Sequence, residues 1–403
     1  MQAVLIAAGE SSRFWPLANG IHKSQLFLLG KPLMYWTLKG LAEHDIKNVV
    51  VVHGRDSSIP AMLEQENDLG LRLSYAVQEK PLGTGNALFA AKKYIKDSFF
   101  VFWPNKVNSG ELVGKMLEVQ KKQGAKAVFV GAFTKAPWDY GVARMEGERL
   151  AEIVENPKQG HEPSNTKVVG AYLLESDYFS YYGRLSRRHE ADFVEALNLY
   201  LKDKKASLVM SENDVPALKY PWDLFSVLDI LFRSRQQQRI IHPTAKIGEG
   251  TAFEGPVYIG EKCEIGPHNV LRGPLNIEKG TKTGAFFEIK HSVVQEGTHF
   301  HSGYIGDSLI GKNCRFGAGF VAANRRLDRK NIACEVQGKR MDTDLDHLGA
   351  VVGEETSIGI QAGTMPGVFV GARCQIGPGT IVFENVPDNT SLFARFKQKN
   401  SPC

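Results

Sequence analysis

The chain has 403 residues, of which 43% are hydrophobic and 23% charged, with a formal net charge of +5. That length is too great for one ordinary core, so two or more domains are expected, with the composition of a soluble globular protein. Runs such as "NVVVV" and "SFFVFW" fall far short of the roughly 20 residues that span a bilayer. The mild positive charge suits anionic small molecules, and no tract resembles a nucleic-acid-binding one.

Met1 leads almost directly into "AVLIAAG" without a basic leader, so a cytoplasmic location is expected. Residues 1 to about 225 alternate short β-rich runs ("AVLIAAG", "NVVVVHG", "FFVFW", "KAVFVGAF") with helical stretches such as "GTGNALFAAKKYI". This alternation predicts βαβ units and a Rossmann-like, mostly parallel sheet, with ligands outside the carboxyl ends of its strands. "PWDLFSVLDILFRSRQQQ" (221–238) reads as one connecting helix.

From Ile241 the rhythm changes. Ile241, Ile247, Phe253, Ile259, Ile265, Leu271 and Ile277 recur every six residues, and the beat returns at Val352, Ile358, Thr364, Val370, Ile376 and Val382. A six-residue repeat with an aliphatic anchor predicts a parallel β-helix. The charged stretch 325–349 is expected to loop out of the coils, within reach of a neighbouring subunit. Cys263, Cys314, Cys334, Cys374 and Cys403 contain no Cys-x-x-Cys pair, so reduced apolar fillers are expected.

In "LIAAGESSRFWPLANGIHKSQ" a turn at Ala8 and Gly9 precedes Arg13 and Lys23. Small residues let backbone N–H groups approach phosphates, and the two cations would neutralise a triphosphate and its leaving group. "VQEKPLGTGNAL" supplies Gln78, whose amide can pair with a base edge, and Gly83-Thr84, where backbone can pack near the base. Caps and solvated charges are the plainer alternative for Arg13 and Lys23.

Ala7, Ala8, Gly9, Arg13, Pro16, Leu17 and Lys23 together resemble the opening pattern of the sugar-1-phosphate nucleotidyltransferases. With the β-helical second half, residues 1–385 resemble the archaeal-type bifunctional UDP-N-acetylglucosamine pyrophosphorylase/glucosamine-1-phosphate N-acetyltransferase family, whose β-helix is left-handed. The resemblance implies Ala8, Gly9, Arg13 and Lys23 at phosphates, Gln78, Gly83 and Thr84 at uracil, and Tyr140, Gly141 and Glu155 at the sugar. It implies UTP and Mg²⁺ for the first half, acetyl-CoA for the second, sugar-phosphate partners and a homotrimer with shared sites. The domains implied are a nucleotidyltransferase over 1–225, a linker helix over 226–240, a β-helix acyltransferase over 241–385 and a tail over 386–403.

The pattern is broken in places. Ser11 and His22 stand where the family has Gly and Pro. At the tip of "FFVFWPNKV" the family carries Gly-Asp, the aspartate holding Mg²⁺, whereas this chain has Pro104-Asn105. The second expected metal ligand aligns with Ala217. Mg²⁺ is a hard cation held by carboxylates, waters and phosphates, so Asn105 marks a degenerate metal position, with Glu212, Asp214 and Asp223 near enough in sequence to compensate. Nucleotidyl transfer by this half is therefore expected to be weak or absent. One alternative keeps both halves active, and another makes the chain a non-catalytic scaffold subunit.

"HFHSGYIGD" resembles the acetyltransferase motif whose histidine, three residues before a tyrosine, is the general base, implying that role for His301 and a sugar-phosphate contact for Tyr304. By the same resemblance "LRGPL" implies a phosphate-binding Arg272, and "FFEIK" implies its companion Lys290, with Glu288 orienting the histidine. "FGAGFVAAN" implies acetyl-CoA contacts at Gly317 and Ala318 and an amide from Asn324, while Arg315 replaces an expected asparagine. A zinc site built on His291, His299 and His301 is the competing reading, the His-x-His pair placing two rings on one strand face.

Overall fold

"FFVF" at residues 99–102 is apolar without alternation because both faces of its strand are covered. Phe99 and Val101 enter one core, with Ala87, Phe179, Phe193 and Leu197, while Phe100 and Phe102 enter another, with Met34, Leu38, Leu112 and Val113. The computed structural model describes residues 1–395 apart from 56, 187, 188, 190, 191, 213–215, 236 and 237. It divides into two units, Met1–Glu10 with Lys31–Ala217, and Ser11–Gly30 with Leu218 onward.

The first unit is a nine-stranded sheet between helices. Its strands are β1 (Gln2–Ala7), β2 (Asn48–Gly54), β3 (Arg72–Gln78), β4 (Phe99–Phe102), β5 (Ala127–Phe133), β6 (Gly141–Glu146), β7 (Arg149–Glu155), β8 (Thr166–Leu174) and β9 (Ala206–Met210). The order is β9-β5-β8-β4-β1-β2-β3, with β6 pairing β7 and β8. β4, β1, β2 and β3 are mutually parallel, and β8 runs antiparallel between β4 and β5. The carboxyl end of β4 therefore delivers Trp103, Asn105 and Lys106 to the strand ends where a Rossmann-like fold places ligands.

The second unit is a left-handed β-helix. Three parallel sheets run along it, so a residue pairs with one about eighteen positions on, as Ile241 with Ile259 and Ile259 with Ile277. Anchors from Ile259 to Val382 stack into one apolar column. Phe287, Phe300, Phe316 and Phe320 form a ladder with ring centroids 5.0, 4.7 and 4.9 Å apart. The connecting helix is confined to Asp223–Arg233. Among the described residues no helix is long and apolar enough to cross a membrane.

The stretch 325–349 does more than loop out. Ala333–Val336 and Lys339–Asp342 form an antiparallel hairpin, and Ile332 and Cys334 are buried against Gly367, while Leu327 stands fully exposed. Cys263, Cys314, Cys334 and Cys374 are buried, and burial pushes the first three thiols up to about 11, 12 and 12. They are apolar fillers, whereas Cys403 lies outside the described residues.

Ser11–Gly30 is held to the β-helix by side chains that hydrogen-bond its backbone and Trp15. Gln295 donates to the Phe27 carbonyl at 2.9 Å and accepts from its N–H at 3.0 Å. Asn276 and Glu278 accept from the N–H groups of Leu29 and Gly30 at 2.7 and 3.1 Å, and Trp15 donates to Asp388 at 2.9 Å. Glu278 is 2% exposed, and burial raises its carboxyl from 4.5 to about 7.

A raised native value means that stability is present below about pH 4.5 and lost as pH rises towards 7, by on the order of 3 kcal/mol. Glu278→Gln keeps the acceptor oxygen without the charge. It is expected to flatten this part of the stability curve and to raise the melting temperature at pH 8. Identical wild-type and variant pH profiles in denaturant unfolding would rule that out.

Candidate functional sites

In the first unit a cavity of about 460 Å³ opens at the ends of β4 and β8. Thr84, Tyr140 and Glu155 line it together with Asn105, Lys106, Lys167 and Ala217, over a wall of Trp103, Tyr172 and Phe193. The wall depends on Gly170, where a Cβ would collide with the Trp103 ring. Gly141 lies against the Glu155 carboxylate, so the three predicted sugar-site residues are brought together. Partial burial raises the Glu155 carboxyl above its ordinary value, and the Lys167 ammonium sits 4.6 Å from the Tyr140 ring centroid.

Asn105 is 4% exposed, and its amide donates to the Pro216 carbonyl at 2.7 Å. The position expected to hold a cation instead presents a donor to a backbone oxygen, and neighbouring Ala217 offers only a methyl group. Among the described residues no three His, Cys, Asp or Glu side chains are grouped to hold a metal. Glu212 is exposed beside Lys115, and Asp214 lies outside the described residues. Asn105 and Ala217 supply no carboxylate, the side-chain type that usually holds Mg²⁺.

Gln78 donates its amide to Gly83 O at 2.9 Å and Asn86 Oδ1 at 3.0 Å. Both amide hydrogens thus hold the turn that Gly83 makes at φ +90°, and base reading by this side chain is limited to accepting. Ala8 and Gly9 follow β1, and a side chain at Gly9 would meet open space.

Arg13 and Lys23 belong to the second unit. The Arg13 guanidinium lies 5.8 Å from the Tyr220 ring centroid, and Lys23 donates to the Leu218 carbonyl at 2.6 Å. Burial, then the nearby Arg13 charge, brings the Lys23 ammonium down to about 8. His22 replaces the family's proline as an N-cap. Its Nδ1 accepts from the Ser24 N–H at 3.3 Å while Gln25 accepts from the His22 N–H at 3.1 Å, and burial holds the ring near 3, uncharged. Ser11 likewise finds a use, accepting from the Lys23 N–H at 2.9 Å. Asp223 accepts from the Lys219 and Tyr220 N–H groups at 2.6 and 2.9 Å, holding the turn that leads into its helix.

On the third face of the β-helix, parallel register stacks Arg272 on Lys290 and Glu288 on Tyr304. Arg272 pairs with Glu254 at 2.8 Å and Glu288 at 3.0 Å. Glu288 therefore orients Arg272, and no hydrogen bond joins it to His301 among the described residues. Lys290 reaches Asp307 at 3.4 Å, His291 Nδ1 lies 2.7 Å from the same carboxylate, and Asn324 donates to Asp307 at 2.6 Å and to the Tyr304 hydroxyl at 3.1 Å. Burial alone would raise the Asp307 carboxyl, but the hydrogen bonds from His291 and Asn324 hold it below the ordinary range. Gly306 makes the cluster possible, because a Cβ there would collide with Tyr304 and Asn324.

His301 is exposed and lines a surface groove of about 430 Å³ with His299, Arg315, Phe316 and Gly317. Arg315 donates to the Gly297 carbonyl at 2.7 Å. Burial, then the Arg315 and Lys282 charges, lowers the His299 ring below the ordinary imidazole value. The exposed Ala318 accepts from the Gln361 N–H at 2.8 Å. His291 is tied to Asp307 and packs on Phe225, while His299 and His301 face the groove. The three histidines thus form no metal cluster, and the zinc reading fails among the described residues.

Sequence reading gave no role to Asp307, Lys106 or Lys167. Asp307 closes the quoted "HFHSGYIGD", and a carboxylate ending an otherwise neutral motif was the available signal. The lysines gave none, since only the turn after β4 and the β8 register bring them to the cavity.

Residues 2–223 match the nucleotidyl transferase family model. The bifunctional sugar-1-phosphate nucleotidylyltransferase/acetyltransferase of Sulfurisphaera tokodaii is 31% identical over 96% of this chain and 98% of its own length. The bifunctional protein GlmU of Methanococcus maripaludis strain C7 is 28% identical, over 98% of each. A UDP-glucose pyrophosphorylase structure from Acinetobacter baumanii shares the fold, with a TM-score of 0.51 and 20% identity over 58% of this chain and 94% of that one. The chain is a transferase and belongs to the nucleotidyl transferase family, as a member of its GlmU-like bifunctional nucleotidyltransferase/acetyltransferase branch.

Proposed function

We propose that the β-helical unit transfers the acetyl group of acetyl-CoA to the amine of glucosamine-1-phosphate or a close amino-sugar-1-phosphate, and that nucleotidyl transfer by the first unit, with its degenerate metal position, is weak or absent. The observation that carries the first part is the convergence of Arg272, Lys290, Tyr304 and Asn324 on one face of the coil. Cations at that spacing suit a phosphate, and the polar groups beside them suit an amino sugar. The amine nitrogen attacks the thioester carbonyl, His301 accepts the proton it sheds, and coenzyme A leaves as the thiolate. Gly317, which lines the His301 groove, and Ala318 are the acetyl-CoA contacts in this reading.

The exposed position of His301 supports a homotrimer in which a second copy completes the groove. Weak or absent transfer by the first unit is supported by the Asn105–Pro216 hydrogen bond and by Ala217. Its cavity keeps the sugar contacts of Tyr140, Gly141 and Glu155, while Arg13 and Lys23 remain as phosphate ligands and Gln78, Gly83 and Thr84 as uracil contacts.

The test is release of free thiol from acetyl-CoA on adding glucosamine-1-phosphate. Release above the rate without acceptor is expected, and none above that background would end the assignment. The second reading, in which both units work, is favoured by the bifunctional names of the relatives. Mg²⁺-dependent pyrophosphate release from UTP and N-acetylglucosamine-1-phosphate by the unmodified protein would establish it.

A further inference from the structure

Asp307 joins side chains from three successive coils. Lys290 and His291 come from the coil before it and Asn324 from the coil after. Its side chain is 6% exposed, and all three partners point polar hydrogens at it, at 3.4, 2.7 and 2.6 Å. Its backbone is held as well, donating to the Lys290 carbonyl at 2.9 Å and accepting from Gly349 at 2.7 Å. The left-handed φ of +49° adds no information, because corner residues such as Lys262, Asn313 and Arg373 share it.

The chemical consequence follows from what a carboxylate can do. An ionised carboxylate only accepts hydrogen bonds. His291 must therefore carry its proton on Nδ1, leaving Nε2 as the position open to protonation. Asn324 Nδ2 donates to both Asp307 and Tyr304, so its amide orientation is fixed and it presents Oδ1, an acceptor, to whatever lies against this face. Lys290 is held by its head group, which limits the rotamers it samples before a phosphate arrives. A neutral amide in place of Asp307 could donate or accept, and all three settings would be lost together.

We propose that Asp307 is a positioning residue for acetyl transfer, an acceptor-only carboxylate that sets the Lys290 ammonium, the Nδ1–H tautomer of His291 and the amide orientation of Asn324 before substrate binds. The inference rests on the acetyltransferase reading above, since it takes the amino-sugar phosphate to lie against Lys290, Tyr304 and Asn324.

The experiment compares wild type, Asp307→Asn, Asn324→Ala and the double variant in the full chain, with acetyl-CoA and glucosamine-1-phosphate. Asp307→Asn is expected to raise KM for the sugar phosphate about tenfold or more. Its effect in the Asn324→Ala background should be much smaller, because residues acting through one network are not additive. A merely structural role would lower the yield of folded protein and leave KM unchanged. That result, or full additivity, overturns the proposal.

Should Asp307→Asn not fold, ¹⁵N NMR of the wild-type histidines, with His291→Gln for assignment, decides the matter. An Nδ1–H tautomer of His291 is expected, and an Nε2–H tautomer overturns the inference. Failure of the acetyltransferase reading is distinguishable, because wild type would then release no thiol.

Discussion

His301→Ala is expected to lower kcat for acetylation of glucosamine-1-phosphate by about 10²- to 10⁴-fold, with little change in KM for acetyl-CoA. Loss of a general acid–base group typically costs that much, and an ammonium-forming attack needs an acceptor for its proton. His301 is suited to the task by exposure and by the open groove beside it. The natural control is His299, two residues earlier on the same strand edge and lining the same groove. Burial and the neighbouring cations lower its ring below the ordinary value, so it is no stronger a base, and His299→Ala should retain activity within a few-fold. Stopped-time thiol release measures both variants. A fully active His301→Ala protein would move the base elsewhere, with His291 on Asp307 the next residue to test.

The second large effect is a gain. Asn105→Asp with Ala217→Asp is expected to confer Mg²⁺-dependent pyrophosphate release from UTP and N-acetylglucosamine-1-phosphate, at least about 10²-fold above the unmodified chain. Phosphoryl-type transfer relies on positioning and charge stabilisation, and a divalent cation contributes several kcal/mol to that stabilisation, with about 1.4 kcal/mol per factor of ten.

The substitution also has a local cost. A carboxylate cannot donate to the Pro216 carbonyl as Asn105 does at 2.7 Å, and an unsatisfied carbonyl there costs about 1–3 kcal/mol unless the segment shifts. A modest fall in melting temperature should therefore accompany the gain, and added Mg²⁺ should reverse part of it. The measurement is coupled pyrophosphate detection with and without EDTA. Substantial Mg²⁺-dependent release by the unmodified chain would show that the amide site still works.

The two halves were legible in the sequence to different degrees. The hexads from Ile241 to Ile277 specify coils almost residue by residue, because each anchor lands on the one eighteen positions earlier and those from Ile259 onward are buried in one column. The phosphate-loop departures at Ser11 and His22 were visible, but the hydrogen bonds they make were not. A capping box at His22 and a hydroxyl at Ser11 that accepts from Lys23 are properties of the folded loop. The family resemblance implied Glu288 as the residue that orients His301. Parallel stacking places it instead beside Arg272, one coil earlier.

By itself the sequence determined the two architectures, the polar interruption at 286–326 and the change of ligand type at Asn105, because periodicity and residue chemistry are carried by local spacing. Only the tertiary structure decided that Asn105 hydrogen-bonds Pro216, that Ser11–Gly30 is held by Gln295, Asn276, Glu278 and Asp388, and that Asp307 gathers Lys290, His291 and Asn324. Those contacts join residues from 16 to 373 positions apart. Their distances are set by strand register and coil stacking, which no local pattern of residue types records.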